Sequence, residues 1–228
     1  MNNIKDKVIP VLDKGFVKVV DYMGDEASIV QAARVSYGGG TKTVREDTAL
    51  IKYLFDHAHM TPFEMNELKL HIKCPIFIAR QWMRHRTFSY NEVSARYSVV
   101  KDNECYIPSN FYRQSKTNKQ ASDQPLSTGE AETCKNLMGY ITEDAFITYN
   151  CLLAQGVSRE TARMVLPVCT YTEFYCKGNL RNWLHFLGLR TGKGAQSEMQ
   201  QYAQAIVEIV KEWLPSVKDI IFKDKVGE

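Results

Sequence analysis

The chain has 228 residues, 44% of them apolar, and 29 Lys and Arg against 26 Asp and Glu give a net charge of +3. That length buries a sizeable core, and no linker or internal repeat divides it, so residues 1–228 read as a single domain. The weak charge gives no ground for a nucleic-acid partner, no apolar run of about 18 residues marks a membrane span, and the six scattered cysteines form no Cys-x-x-Cys pair for zinc.

The first seven residues lack the apolar core of a signal peptide. The cysteines are therefore expected as reduced thiols in a cytoplasm. Residues 15–23 carry the strand formers Phe16, Val17, Val19, Val20 and Tyr22. Gly24-Asp25 ends that strand, and Asp25 is placed to cap a helix over 26–35. Ser36-Tyr37-Gly38-Gly39-Gly40 reads as a loop. It lacks the Gly-x-Gly-x-x-Gly spacing and the preceding strand of a dinucleotide fold. Residues 43–57 form the next helix, with Leu50, Ile51, Leu54 and Phe55 on its core face. His57 and His59 have no acidic or cysteine partner at metal-ligand spacing, so His57 reads as a helix-end cation. Residues 66–73 alternate Leu68, Leu70 and Ile72 with Glu67, Lys69, His71 and Lys73, the pattern of a half-buried strand. Pro75 opens a helix whose buried surface is Ile76, Phe77, Ala79, Trp82 and Met83, and which ends near residues 84–86.

Residues 84–97 then depart from any core or surface pattern. Arg84-His85-Arg86-Thr87-Phe88-Ser89-Tyr90-Asn91-Glu92-Val93-Ser94-Ala95-Arg96-Tyr97 holds three arginines, no lysine and three aromatics. So many charges are not buried unpaired. Guanidinium groups chelate phosphate through paired N–H donors, and aromatic rings stack on flat ligands. Asn91 and Glu92 add groups that read the edge of a pyrimidine or flavin ring. The plainer alternative is a surface turn crossed by salt bridges.

Residues 101–130 are polar and weakly periodic, the least structured stretch by sequence. Residues 131–155 form a long helix, with Leu137, Tyr140, Ile141, Ala145, Tyr149, Leu152 and Leu153 near a 3.6 period, ended by Gly156. Ser158 caps a helix over 159–166, stopped by Pro167, on which Arg159 and Arg163 share a face. A strand over 170–177, a helix over 179–189 and a last helix over 195–214, broken by Pro215, complete the chain.

Arg84-His85-Arg86, followed by seven residues and Ser94, resembles the signature of the flavin-dependent thymidylate synthases. The likeness continues in His59-Met60-Thr61-Pro62-Phe63-Glu64, in residues 159–167 and in residues 179–190. It implies an α+β fold: long helices packed on a small, mostly antiparallel sheet. It implies methylation of dUMP to dTMP with methylenetetrahydrofolate as carbon donor and FAD, reduced by NADPH, as hydride source, without a cysteine nucleophile. By the same resemblance Gln81, Arg84, Glu92, Ser94, Ala95, Arg96, Arg163 and Arg190 bind dUMP, and Arg190 is catalytic through the ionised imide of uracil. Ser36, His59, Thr61, Glu64, Arg84, His85, Arg86, Asn91, Glu92, Asn179, Arg181 and His185 bind FAD. Sites are shared between subunits of a homotetramer, with no metal, nucleic acid or membrane involved. His185 stands where some members have asparagine, and Gly194 where many have histidine. A nucleic-acid-binding module, a flavoenzyme acting on another phosphorylated substrate, and a structural protein with salt-bridged turns remain the competing readings.

Overall fold

A computed structural model describes residues 3–35, 44–101 and 104–217. Its centre is an antiparallel sheet of Val8–Val11 (β1), Gly15–Met23 (β2), Glu67–Pro75 (β3), Ser89–Glu92 (β4) and Tyr171–Asn179 (β7) in the order β1-β2-β3-β7-β4. Glu26–Arg34 (α1), Val44–Asp56 (α2), Ile76–Trp82 (α3), Leu180–Arg190 (α6) and Ser197–Trp213 (α7) complete this body. Tyr112–Gln114 (β5) and Ser122–Pro125 (β6) form a separate hairpin, followed by Thr128–Ala154 (α4) and Arg159–Ala162 (α5). The α+β expectation holds.

The core follows from period-two burial. Leu68, Leu70, Ile72 and Cys74 of β3 are buried, while Lys69, His71 and Lys73 line the wetter face. His71 lies there, between the rings of Phe16 and Tyr175, and bonds Glu173 at 2.9 Å. α6 and α7 close the dry face with Trp183, Phe186, Tyr202 and Trp213. Each polar tip finds a carbonyl, as burial demands. Trp183 Nε1 donates to Leu68 and Gly178, Tyr202 to Lys73, and Trp213 Nε1 to Gly24. Asp25 caps α1 through a reciprocal bond pair with Ser28, as its sequence position indicates.

Several elements differ from expectation. β1 is unannounced because four residues containing Pro10 carry little alternation; it is an edge strand, where a missing N–H is tolerated. Residues 101–130 contain the exposed β5–β6 hairpin and a bridge from Cys105 to Thr170. α4 begins three residues early because Ser127 and Glu130 form a capping box. The third helix buries Ile78, Ala79 and Trp82, leaves Ile76, Phe77 and Met83 half-buried, and ends at Trp82. Residues 159–166 do not make one helix: α5 tightens to a 3-10 turn at Arg163–Val165, so Arg159 and Arg163 diverge. Ser158 makes no side-chain cap there. On α4 only Phe146 and Tyr149 are buried, and Leu137, Tyr140, Ile141 and Ile147 are exposed. These four large apolar side chains have little cover within the protomer.

β7 carries the tightest approach. A Cβ built at Gly178 would lie 2.3 Å from Phe88 Cδ1, so the ring rests directly on strand backbone. Gly178→Ala is expected to lower unfolding free energy by about 1–3 kcal/mol through overpacking. The urea midpoint measures this, and the loss should shrink when Phe88 is also changed to Leu.

Candidate functional site

Residues 84–97 leave α3 in a turn and enter β4, which pairs with β7 from Ser89↔Lys177 to Glu92↔Phe174. Three residues nail the turn down. Phe88 is buried against Trp183. Tyr90 donates to the carbonyls of Trp82 and His85 at 3.0 and 2.9 Å. Asn182 on α6 donates to the Thr87 carbonyl at 3.1 Å. With these fixed, Arg84, Arg86 and Asn91 are left exposed.

Facing cross-strand pairs share a side of the sheet. Glu92, opposite the buried Phe174, therefore emerges on the helix side, beyond the end of the core. There it borders a recess of about 440 Å³ together with Ser94, Ala95, Arg163 and Thr172. Thr172 donates to Glu92 Oε1 at 2.6 Å. Ser94 Oγ accepts from the Arg96 amide at 3.2 Å, which bends the chain around the recess mouth. Of the other charged groups here, Lys73 pairs with Glu104 at 2.8 Å and Glu173 is hydrogen-bonded to His71 at 2.9 Å, while the exposed Lys101 also borders the recess. Arg163 has no ion-pair partner among the described residues, so this cation is free to meet an anion. Arg96 lies on the flank, 3.2 Å from Glu160, while Arg159 bonds the Tyr97 carbonyl instead of entering the recess.

A second group forms between the turn and α6. Arg190 donates through Nε to His85 Nε2 at 2.9 Å and through Nη2 to the Gln81 carbonyl at 3.2 Å. Burial, with Arg190 and His185 nearby, pushes the His85 imidazole down to about 4. It is therefore neutral near pH 7, accepts at Nε2 and carries its proton at Nδ1. Burial also lowers Arg190, which stays a cation. The Gln81 side chain turns away and donates to Gln196 Oε1 at 2.6 Å.

A third group borders a cavity of about 810 Å³ with Phe55, Met60 and Leu184 in its wall and Arg181 and His185 at its polar side. Arg181 is paired with Glu64. Asn179 is the N-cap of α6, its Oδ1 accepting from Asn182 N at 3.0 Å. Thr61 opens a 3-10 turn, Thr61–Met65, and His59 is exposed beside Tyr53 and His57. His57 makes a helix-end bond to the Tyr53 carbonyl at 2.8 Å. Ala58, at φ 56° in the left-handed region, lies in this cavity wall. Ser36 lies outside the described residues. Among the described residues no cluster of His, Cys, Asp and Glu could hold a metal, and no helix is long and apolar enough to cross a membrane.

Of the sequence-derived site residues, Glu92, Ser94, Ala95 and Arg163 thus meet at the recess, and Arg190 and His85 pair beside the Gln81 carbonyl. Arg181 and His185 border the apolar cavity, with Glu64 joined to Arg181, whereas Arg84, Arg86, Asn91, Arg96, His59, Thr61 and Asn179 line neither space. Sequence reasoning missed Thr172, which looks like any other strand residue. It also missed the thiol environment. Cys74 is pushed well up by burial and by Glu92. Cys169 is pulled down by a hydrogen bond from Cys105, and both sit with Phe146 in a small cluster apart from the main core.

His85 gives a pH signature. Its folded pKa lies below the unfolded value of about 6.5, so the unfolded state binds the extra proton first. Its contribution to stability is present above pH 6.5 and is lost as pH falls towards 4. Urea midpoints between pH 7 and 4 should fall less steeply in His85→Gln than in the parent protein.

Three comparisons bear on this geometry. The family model described as thymidylate synthase complementing protein matches residues 18–216. A flavin-dependent thymidylate synthase of Thermus thermophilus is 58% identical over 207 residues, covering 91% of this chain and 75% of that protein. One from Anaplasma marginale is 53% identical over 219 residues, covering 95% and 75%. The crystal structure of the UMP/dUMP methylase PolB from Streptomyces cacaoi, bound with 5-Br dUMP, superposes with a TM-score of 0.84 at 31% identity over 95% of this chain and 97% of that one.

Proposed function

This chain belongs to the thymidylate synthase complementing protein family, the flavin-dependent thymidylate synthases, and from that premise we propose that it methylates dUMP to dTMP. The observation that carries the reading is the recess, where Glu92, Ser94 and Ala95 of the arginine stretch meet the unpaired Arg163. A nucleoside monophosphate has the matching chemistry: a phosphate for arginine and a ring edge for a carboxylate. We assign Arg163, Arg96 and Arg84 to the phosphate and ring, and Glu92, Ser94, the Ala95 backbone and Gln81 to orientation. Arg190 would favour the ionised imide, since its neutral His85 partner leaves its charge uncompensated.

The 810 Å³ cavity suits FAD: apolar walls for a flat ring and the cation Arg181 at the polar side. We assign it Thr61, Glu64, His59, Asn179, Arg181 and His185, together with Ser36, His85, Arg86, Asn91 and Glu92 from neighbouring segments. FAD reduced by NADPH supplies the hydride, and methylenetetrahydrofolate the carbon. The chain's own work is to orient the nucleotide and hold the imide charge. No thiolate is needed: Cys74, the thiol influenced by Glu92, is held protonated, and Cys169 is 8% exposed in another cluster. All six cysteines are free thiols, which fits a reducing cytoplasm.

The three groups line different parts of one protomer, and the exposed α4 face with Leu137, Tyr140, Ile141 and Ile147 offers a contact surface. A homotetramer that joins the groups across subunits accommodates both. Ile141→Glu is expected to shift sedimentation from tetramer to smaller species and to abolish activity together with assembly.

The central test is anaerobic. Protein with FAD and NADPH should form dTMP only when dUMP and methylenetetrahydrofolate are both present. UMP belongs in a parallel arm because PolB is a UMP/dUMP methylase. Arg190→Ala should lower turnover by about 10²-fold or more, and Cys169→Ser should leave product formation intact. Flavin binding without product from either nucleotide would sink the proposal in favour of another phosphorylated substrate.

A further inference from the structure

Thr172 is 6% exposed, yet its hydroxyl reaches the recess carboxylate. The direction of the bond follows from chemistry, because an ionised carboxylate only accepts. Its geometry follows from the sheet. Glu92 faces Phe174, and Val93 N donates to the Glu173 carbonyl at 2.9 Å, so Thr172 lies two residues further along β7 on the same side. Thr172 itself is fixed by its pairing with Cys74 of β3, and a β-branched side chain in a strand has few χ1 choices. Glu92 has the opposite character. It ends a four-residue edge strand, is exposed, and has three side-chain torsions. Thr172 takes Oε1 and leaves Oε2 as the oxygen available to a ligand.

We propose that Thr172 is a positioning residue that holds the Glu92 carboxylate to accept an N–H or O–H donor of the nucleoside monophosphate in the recess. It thereby sets nucleotide affinity without touching the nucleotide. This inference rests on the reading of the recess as the nucleotide site. A purely structural role predicts the opposite pattern, a lowered melting temperature with nucleotide affinity intact, whereas in the positioning role loss of the hydroxyl leaves the solvent-exposed Glu92 oxygen hydrated and costs the fold little.

The test is dUMP binding to the FAD-loaded protein by calorimetry, alongside the KM and kcat for dUMP. Thr172→Val should weaken dUMP roughly 5- to 20-fold, the range of one hydrogen bond, chiefly through KM and with an unchanged melting temperature. Thr172→Ala should reproduce the loss, and Thr172→Ser should restore binding to within about twofold, well below the change expected for one lost hydrogen bond. In a Glu92→Ala background, Thr172→Val should add less than about twofold, because the group it holds is gone. Tight dUMP binding by both Thr172→Val and Thr172→Ala overturns the positioning role alone. So does a full, additive loss in the Glu92→Ala background, which would put the hydroxyl to work elsewhere. A parent protein that binds no dUMP overturns the nucleotide reading and this inference with it.

Discussion

Everything at the candidate site depends on the contact between Phe88 and Gly178. Residues 84–97 carry three arginines, and a segment that only presents cations has nothing to hold it still. The chain solves this by burying His85 and Phe88 and half-burying Tyr90. Phe88 seats on the one β7 position that lacks a Cβ, Tyr90 bonds two carbonyls of its own turn, and His85 is enclosed beside Phe186. Full burial of an aromatic ring contributes about 1.5–3 kcal/mol, several times the worth of an exposed ion pair. The apolar members of the motif therefore fix its geometry, and the arginines are carried on that frame.

The choice of partner for Arg190 has the same logic. A carboxylate would hold a half-buried guanidinium firmly but would cancel its charge. A neutral imidazole accepts the Nε–H bond and leaves the full positive charge in place. Burial of His85 is what keeps it neutral, so the packing of the turn and the electrostatics of the site are one property. In the recess the reverse holds: Lys73 is paired with Glu104 and Glu173 is bonded to His71, while Arg163 and the exposed Lys101 stand with the carboxylate of Glu92 along its wall.

How far this was legible from sequence depends on the signal each residue carries. β2, β3 and β7 were readable because one face of each is dry, which imposes period-two alternation. The cap at Asp25 was readable because its chemistry is local. The capping box of Ser127 and Glu130 was equally local but lay inside a stretch read as irregular. β1 and β4 are edge strands of four residues, too short for a period to register. The α4 pattern promised a buried face, yet periodicity cannot tell cover within a protomer from cover by a neighbour. The candidate site was visible through the family likeness of Arg84 to Ser94. Its partition into recess, cation pair and cavity was not, because that depends on which side of β4 each residue emerges. Thr172 was invisible for the same reason: only the register reveals that its hydroxyl meets Glu92.

The sheet order ends on β4, so the strand bearing Glu92 is bonded on one flank only. Its ladder can open without disturbing β2, β3 or β7, which makes it a unit of low local stability within a stable body. Amide exchange at Ser89, Asn91 and Val93, whose N–H groups face β7 in this register, should thus report on this opening and not on global unfolding. Each opening also parts Glu92 from Thr172, and so dismantles one wall of the recess while the core stays folded. A ligand that bridges Glu92 and Arg163 would close that strand as it binds, and protection of these three amides would become a direct measure of occupancy.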